Sequence, residues 1–148
     1  MNNIKIDDNI FQDAVQLYSK MFNLPPLASK IYAYLLFDFQ KEGVPFDEFV
    51  DVFSASKSSV STSICLLIST QLIVDVTKKD ERKRYFFTNE NYRKLRFEKI
   101  VKKMQDEISL MEQLKNLNNN EEDDEKTEIY KSLLNRNIIT IQESLNKL

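Results

Sequence analysis

A single glycine in 148 residues limits this chain's fold more than any other feature of its sequence. That residue is Gly43. Sandwiches and barrels of β-strands need many tight turns, and glycine is the residue that enters left-handed turn conformations most readily. One glycine also cannot supply a P-loop or a dinucleotide-binding loop, since both require several. The chain is therefore predicted to be mostly α-helical.

The side chains that most enzymes use are missing or scarce. The chain has no histidine and one cysteine, Cys65. Without histidine there is no imidazole base and no Ser-His-Asp or Cys-His nucleophile, and one thiol supports neither an internal disulfide nor a structural zinc site. A Ser–Lys pair or carboxylate–metal chemistry would remain, but no spacing supports either. We predict that the protein is not an enzyme and uses no cofactor or metal.

The hydropathy pattern predicts a cytoplasmic protein with no membrane contact. The N-terminal stretch MNNIKIDDNI is polar and has no apolar region typical of a signal peptide. The longest apolar stretch, Ile31 to Phe37, is far shorter than the roughly 20 residues that span a bilayer. Cys65 is accordingly expected to be reduced.

Charge is distributed unevenly, although the chain carries only −2 overall. Residues 57–103 hold twelve Lys or Arg against five acids, a net of +7. Residues 1–56 hold four against eight, a net of −4, and residues 104–148 hold five against ten, a net of −5. A basic middle between acidic flanks suits a protein with one surface that meets a polyanion. A solvated charged helix would also explain such a run, so the interpretation depends on where the charges lie.

Helical periodicity and strand-forming runs divide the chain into three regions. These are an N-terminal helix region over 1–24, a central region over 25–90 and a C-terminal helical region over 91–148. The predicted helices are 9–22, 26–39, 46–54, 56–71, a long helix from residue 90, and 124–148. A β-hairpin is predicted from strands 72–77 and 84–88, joined by the tip 78–83. Because the tip lacks glycine, a loop longer than two residues is expected.

The helix predicted after Ser56 has an unusual composition. Ser56 is a suitable N-cap. On a helical wheel, Ser58, Thr62 and Ser69 lie opposite the apolar side formed by Val60, Ile64, Leu67 and Ile68. Serine and threonine are middling helix formers, and Glu or Lys would serve solubility better. The hydroxyl-rich side therefore indicates close approach to a partner, either a DNA groove or a second helix.

Five segments of the central region together form a known pattern. They are IYAYLLF (31–37), PFDEFVDVF (45–53), the serine run 56–61, LISTQLIVDV (67–76) and DERKRYF (80–86). The stretch from Leu27 to Phe87 that contains them resembles the winged-helix domain of the MarR superfamily, and within it the GbsR-like regulators. The chain departs from this family in the glycine-free wing tip and in its long acidic C-terminal helices.

The resemblance implies a winged helix-turn-helix flanked by N- and C-terminal dimerisation helices, in a homodimeric bacterial transcription regulator. We predict that this regulator is a repressor. The resemblance also implies that helix 56–71 enters the major groove of double-stranded DNA and that the wing, 78–84, lies on the backbone or minor groove. Small hydroxyls allow close approach to the groove, and basic residues neutralise phosphates. The predicted DNA-binding residues are Ser56, Lys57, Ser58, Ser59, Ser61, Thr62, Lys78, Lys79, Arg82, Lys83 and Arg84.

Other interpretations are left open by the sequence. A small-molecule effector could bind aromatic residues of the second helix, Tyr32, Tyr34 and Phe37, although core packing explains these rings more simply. Cys65 could sense oxidation, although a small thiol with no redox role explains it more simply. The main alternative function is a winged-helix module for protein–protein assembly, in which the basic residues have no polyanion to bind.

Overall fold

The computed structural model describes residues 4–119 and 121–148 and contains six helices and three strands in those ranges. In chain order these are α1 (Asp8–Phe22), α2 (Pro26–Leu36), β1 (Val44–Pro45), α3 (Phe46–Phe53), α4 (Lys57–Ser69), β2 (Ile73–Thr77), β3 (Arg84–Thr88), α5 (Tyr92–Leu117) and α6 (Glu125–Leu145). The described chain forms two compact units, which divide between Glu90 and Asn91. The fold is mostly α-helical with a small antiparallel sheet, as predicted.

Membrane-spanning potential is low in every helix taken alone. Among the described residues, no helix is both long and apolar enough to cross a membrane. Only α3 and α4, counted as one segment across their 120° bend, pass a test of length and composition.

The core of the first unit is built around α2. Pro26 lies in its first turn, where a missing amide hydrogen costs nothing. All residues from Ala28 to Leu35 are buried except Lys30, so the helix has almost no solvent face. Tyr34 packs edge-on against Phe49 and Phe53 of α3, with ring centroids 6.1 and 5.8 Å apart. These contacts hold α2 and α3 together beneath the segment that leads into α4.

Helix α2 ends three residues earlier than predicted. It stops at Leu36, and Phe39, which we expected to be helical, is 76% exposed. The cause is Asp38, whose buried carboxylate accepts hydrogen bonds from the backbone amides of Glu42 (3.2 Å) and Gly43 (2.9 Å). A side chain that satisfies the amides of a following loop competes with continuation of the helix.

A third strand was missed at the sequence level. No element is predicted between the helices 26–39 and 46–54, but β1 pairs antiparallel with β3, placing Val44 opposite Phe86. The sheet order is β1-β3-β2. Gly43 is needed at its edge: its φ is +83°, and a Cβ there would lie 2.5 Å from the Phe87 ring. Two residues are too few to show strand periodicity in sequence, which explains the miss.

The second unit is an antiparallel pair of helices, α5 and α6. Ion pairs stabilise it near the turn between the two helices. Lys131 is 8% exposed, and its ammonium donates to Asp123 and, at 2.8 Å, to Glu112. Lys115 lies 3.9 Å from the same Asp123 carboxylate. Asp124 caps α6 by accepting from the amide of Thr127 at 2.7 Å. The acids of this turn thus bind a buried lysine and a helix end, as a charged helix start does.

Acid should weaken the ion pair between Lys131 and Asp123. The hydrogen bond from Lys131 lowers the pKa of Asp123 below its ordinary value of 3.8. A carboxyl whose pKa is lower in the folded state than in the unfolded chain stabilises the folded state at any pH above its unfolded-state pKa. This stabilisation is lost as the pH falls through the folded-state pKa. We expect Asp123→Asn to speed amide hydrogen exchange in α6 at pH 7, and the difference from the wild type to shrink below pH 3.8. Glu122→Gln, at an exposed neighbour, is the control and should show no such difference.

Candidate nucleic-acid interface

Helices α3 and α4 form a helix-turn-helix. The turn is possible because Ser54 adopts a left-handed conformation, with φ of 47°. The amide of Ala55 bonds back to the carbonyl of Val50 at 3.3 Å, which closes the end of α3. Ser56 then caps α4: its hydroxyl accepts from the amide of Ser59 at 3.1 Å, as predicted from the serine run. The two helix axes differ by 120°, which is the geometry of a helix-turn-helix.

One side of α4 is exposed and the other is buried in the first unit. The buried residues are Val60, Ser63, Ile64 and Leu67. The exposed residues are small or basic: Ser56, Lys57, Ser58, Ser59, Ser61, Thr62, Cys65 and Ser69. We call this exposed side the hydroxyl face. All six predicted DNA-binding residues of the helix lie on it, and the free thiol of Cys65 lies among them.

The hydroxyls of this face differ in what they can still bind. Thr62 donates to the carbonyl of Ser58 at 3.0 Å, and Ser69 donates to that of Leu66 at 2.9 Å. The hydroxyl of Ser56 donates to that of Ser59 at 2.8 Å. A hydroxyl has only one hydrogen to donate, so these three can accept but not donate elsewhere without breaking a bond. In the described part of the chain, the side chains of Ser58 and Ser61 make no such bond.

The wing follows from the pairing of β2 with β3. Thr77 lies opposite Arg84, so residues 78–83 form the six-residue tip that the absence of glycine predicted. Asp80 takes the left-handed conformation, with φ of 67°, that glycine would otherwise supply. Aspartate tolerates this region better than most residues. The amide of Glu81 closes the turn on the carbonyl of Lys78 at 3.0 Å.

The five wing cations fall into two groups. Arg84 donates from Nε to Asp75 at 2.8 Å, and the Lys78 ammonium lies 4.0 Å from the centre of the Tyr85 ring. The other three, Lys79, Arg82 and Lys83, are exposed and form no ion pair within residues 4–119 and 121–148. These three therefore present the uncompensated positive charge of the wing.

Acidic side chains near the wing were not anticipated as part of this surface. Glu81 accepts a hydrogen bond from the Tyr85 hydroxyl, and this bond raises the pKa of that phenol. Asp75 pairs with Arg84 across the two strands, two residues away from its direct partner Phe86. The predicted strands 72–77 and 84–88 already imply a register with Thr77 opposite Arg84, so the Asp75–Arg84 diagonal could have been predicted from them.

The three aromatic residues suggested for an effector do not meet in one cavity. Tyr32 packs against the rings of Tyr18 and Phe22, and Tyr34 donates a 2.6 Å hydrogen bond to Glu48. Of the three, Phe37 lines a cavity of about 410 Å³, together with Ile4, Lys5, Asp38, Phe39, Gln40, Glu42, Gly43 and Glu48. All three rings are at most 8% exposed. Packing therefore accounts for Tyr32 and Tyr34.

A helix-turn-helix followed by a two-stranded wing, with a short third strand at the sheet edge, defines the winged helix-turn-helix fold. The comparison with solved structures agrees: a protein described as a transcriptional regulator aligns over 95% of both chains with a TM-score of 0.59 at 16% identity. A variant of S. aureus MepR bound to an oligodeoxyribonucleotide aligns over 90% of this chain and 91% of its own, with a TM-score of 0.47 and 12% identity. The transcriptional regulator SlyA aligns over 92% of both chains, with a TM-score of 0.42 and 12% identity. No protein-family model matches the sequence. The comparison with curated proteins found no match either.

Proposed function

We propose that this protein is a sequence-specific, double-stranded-DNA-binding transcription regulator. One observation carries the proposal: a Ser-capped helix exposes a face of small hydroxyls, and the wing of the same unit exposes three cations that form no ion pair with any described residue. A helix free of bulky side chains can enter the major groove closely, while lysine and arginine neutralise backbone phosphates. The structural similarity to a transcriptional regulator supports this assignment through the fold.

We further propose that the regulator is a homodimer. Helix α1 has no buried residue, and its large apolar side chains Ile10, Leu17 and Met21 are 38–60% exposed. In the second unit, exposed apolar residues of α5 and α6 include Leu110, Leu114, Leu117, Ile129, Leu133 and Ile139. Exposed apolar side chains in such numbers are typical of a subunit interface. Two copies would read a two-fold site with half-sites about one helical turn apart.

The finer assignments come from the resemblance and are proposals in the same sense. We place the chain in the MarR superfamily near the GbsR-like branch, as a bacterial, cytoplasmic repressor that blocks a promoter. Regions 1–24 and 91–148 are the proposed dimerisation regions around the DNA-binding region 25–90. An effector would bind at the cavity beside Phe37 rather than around Tyr32 and Tyr34.

Selection of bound fragments from a random duplex pool tests DNA binding and site symmetry together. We expect a two-fold motif. For about three to five phosphate contacts per subunit, log K should fall with log salt at a slope of roughly −5 to −9. A chain that dimerises but binds no duplex at low salt would instead be an assembly module, and the proposal would be wrong.

Replacing Arg82 and Lys83 together by alanine should weaken binding to every duplex alike. Each lost phosphate contact reduces the magnitude of the slope of log K against log salt by about one. The slope of the double variant should therefore be smaller in magnitude by about two per subunit. The measurement is fluorescence anisotropy against salt, on the selected site and on an unrelated sequence. A double variant of Lys5 and Lys30, exposed cations of the same unit, is the matched control. Equal slopes for the two variants would contradict the role of the wing.

A further inference from the structure

A small cavity lies between the end of the wing tip, where β3 begins, and the start of α3. It has a volume of about 270 Å³ and is lined by Pro45, Phe46, Asp47, Arg82, Lys83, Arg84 and Phe86. Three cations against one carboxylate give it a net positive lining. Sites for drug-sized ligands have volumes of about 300–1,000 Å³ and apolar linings. This cavity is smaller and strongly charged, so it fits one anionic group rather than a whole apolar ligand.

Arg84 is held in position at this cavity. Its Nε bonds to Asp75 at 2.8 Å, and its guanidinium lies 5.2 Å from the centre of the buried Phe86 ring. The bond to Asp75 uses only Nε, so both Nη groups remain as donors. A guanidinium fixed in orientation loses less conformational freedom on binding, and two parallel donors match two oxygens of a phosphate.

The start of α3 also lines the cavity, through Pro45, Phe46 and Asp47. The N-cap of α3 is Pro45, which makes no side-chain capping bond. The first amides of a helix have no intrahelical partner. The amide of Phe46 is used in the pairing of Pro45 with Tyr85, so those of Asp47 and Glu48 are left for an outside acceptor. Asp47 lies in this first turn and forms no ion pair with Arg82, Lys83 or Arg84 within the described residues. Its carboxylate therefore weakens the attraction of the cavity for an anion but holds none of the three cations in a direct ion pair.

We propose that this cavity binds a phosphate group. The three wing cations would hold the phosphate oxygens, while Asp47 limits the affinity. The phosphate could belong to the DNA backbone or to a free phosphorylated molecule. The assignment to a DNA-backbone phosphate rests on the proposed function, but the phosphate site itself does not.

Titration of the full chain with inorganic phosphate, followed by amide NMR at constant ionic strength, tests the site without DNA. We expect saturable shifts at Phe46–Glu48 and Arg82–Arg84. Lys83→Ala should weaken binding about tenfold, the size expected for loss of a hydrogen bond to a charged group. Lys79→Ala removes the same charge from the same tip but outside the cavity lining, and should change affinity less than twofold. Asp47→Asn should strengthen binding several-fold.

The outcomes test separately whether the phosphate site exists and whether its phosphate belongs to DNA or to a free molecule. Shifts that do not saturate, or equal weakening by Lys83→Ala and Lys79→Ala, would mean that phosphate only screens the wing, and the proposal would be overturned. If bound duplex abolishes the phosphate shifts, the site holds a backbone phosphate. If phosphate still binds the DNA complex, or binds a chain that recognises no duplex, the site serves a free phosphorylated molecule.

Discussion

Ser61→Glu should reduce affinity for the selected DNA site about a hundredfold or more. Ser61 is exposed on the hydroxyl face, and its hydroxyl forms no hydrogen bond within the described chain, so the fold does not need its side chain. In the proposed complex the new carboxylate would lie among phosphates. Two like charges about 6 Å apart repel by nearly 3 kcal/mol at an effective dielectric constant of about 20, which corresponds to about a hundredfold. Competition binding to the selected duplex measures the change.

The matched control is Ser109→Glu, which adds the same charge at an exposed serine of α5. It should lower affinity by much less than Ser61→Glu. Both variants should melt close to the wild-type temperature, because surface substitutions usually change stability by no more than about 0.5 kcal/mol. Unchanged DNA affinity in a folded Ser61→Glu variant would exclude the hydroxyl face from the interface, even if the wing still binds DNA.

Features with local causes were predictable from sequence. The start of α4 was fixed by Ser56, because an N-cap needs only a short polar side chain and a free amide three residues on. The start of α2 followed from Pro26, and the long wing tip from the lack of glycine between the strands. Each of these depends on a few neighbouring residues and on simple steric rules.

Features that depend on distant contacts were not predictable. The β1 strand is two residues long and exists because β3, forty residues later, pairs with it. Phe39 continues an apolar run and was predicted to be helical, but the loop held by Asp38 leaves it exposed. Lys131 was not expected to be buried, since its acidic partners lie on the other helix and in the turn. Sequence periodicity shows which residues of one helix share a face. It does not show which charged residues of another helix or turn will contact that face.

The candidate site also contains both kinds of feature, some with local causes and some that depend on distant contacts. Exposure of Ser58, Thr62 and Ser69 follows from the helical wheel, and the structure places them where the wheel does. Which wing cations stay unpaired could not be read from composition, because Arg84 finds Asp75 only when the strands align. The cavity at α3 joins residues about 37 positions apart in sequence, from Pro45 to Arg82. No motif indicates such a juxtaposition.

Phe49→Ala should destabilise the first unit more than any surface change considered above. Phe49 is fully buried, and its ring contacts Tyr34 and Phe86, each with centroids 6.1 Å apart. It thereby links α2, α3 and the sheet under the helix-turn-helix. Removing a buried phenyl group costs about 3–5 kcal/mol, a large part of the 5–15 kcal/mol that typically stabilises a protein. Denaturant unfolding of the full chain by circular dichroism measures the loss.

Phe39→Ala is the matched control, because it removes the same side chain from a position that is 76% exposed. Its effect on the free energy of unfolding should stay within about 0.5 kcal/mol, as for most surface substitutions. The pair also tests the helix boundary: a helix that continued to Phe39 with that ring in the core would make both variants costly. A Phe49→Ala chain that remains folded but binds DNA weakly would further show that α3 positions α4, since Phe49 itself reaches no solvent and cannot contact DNA.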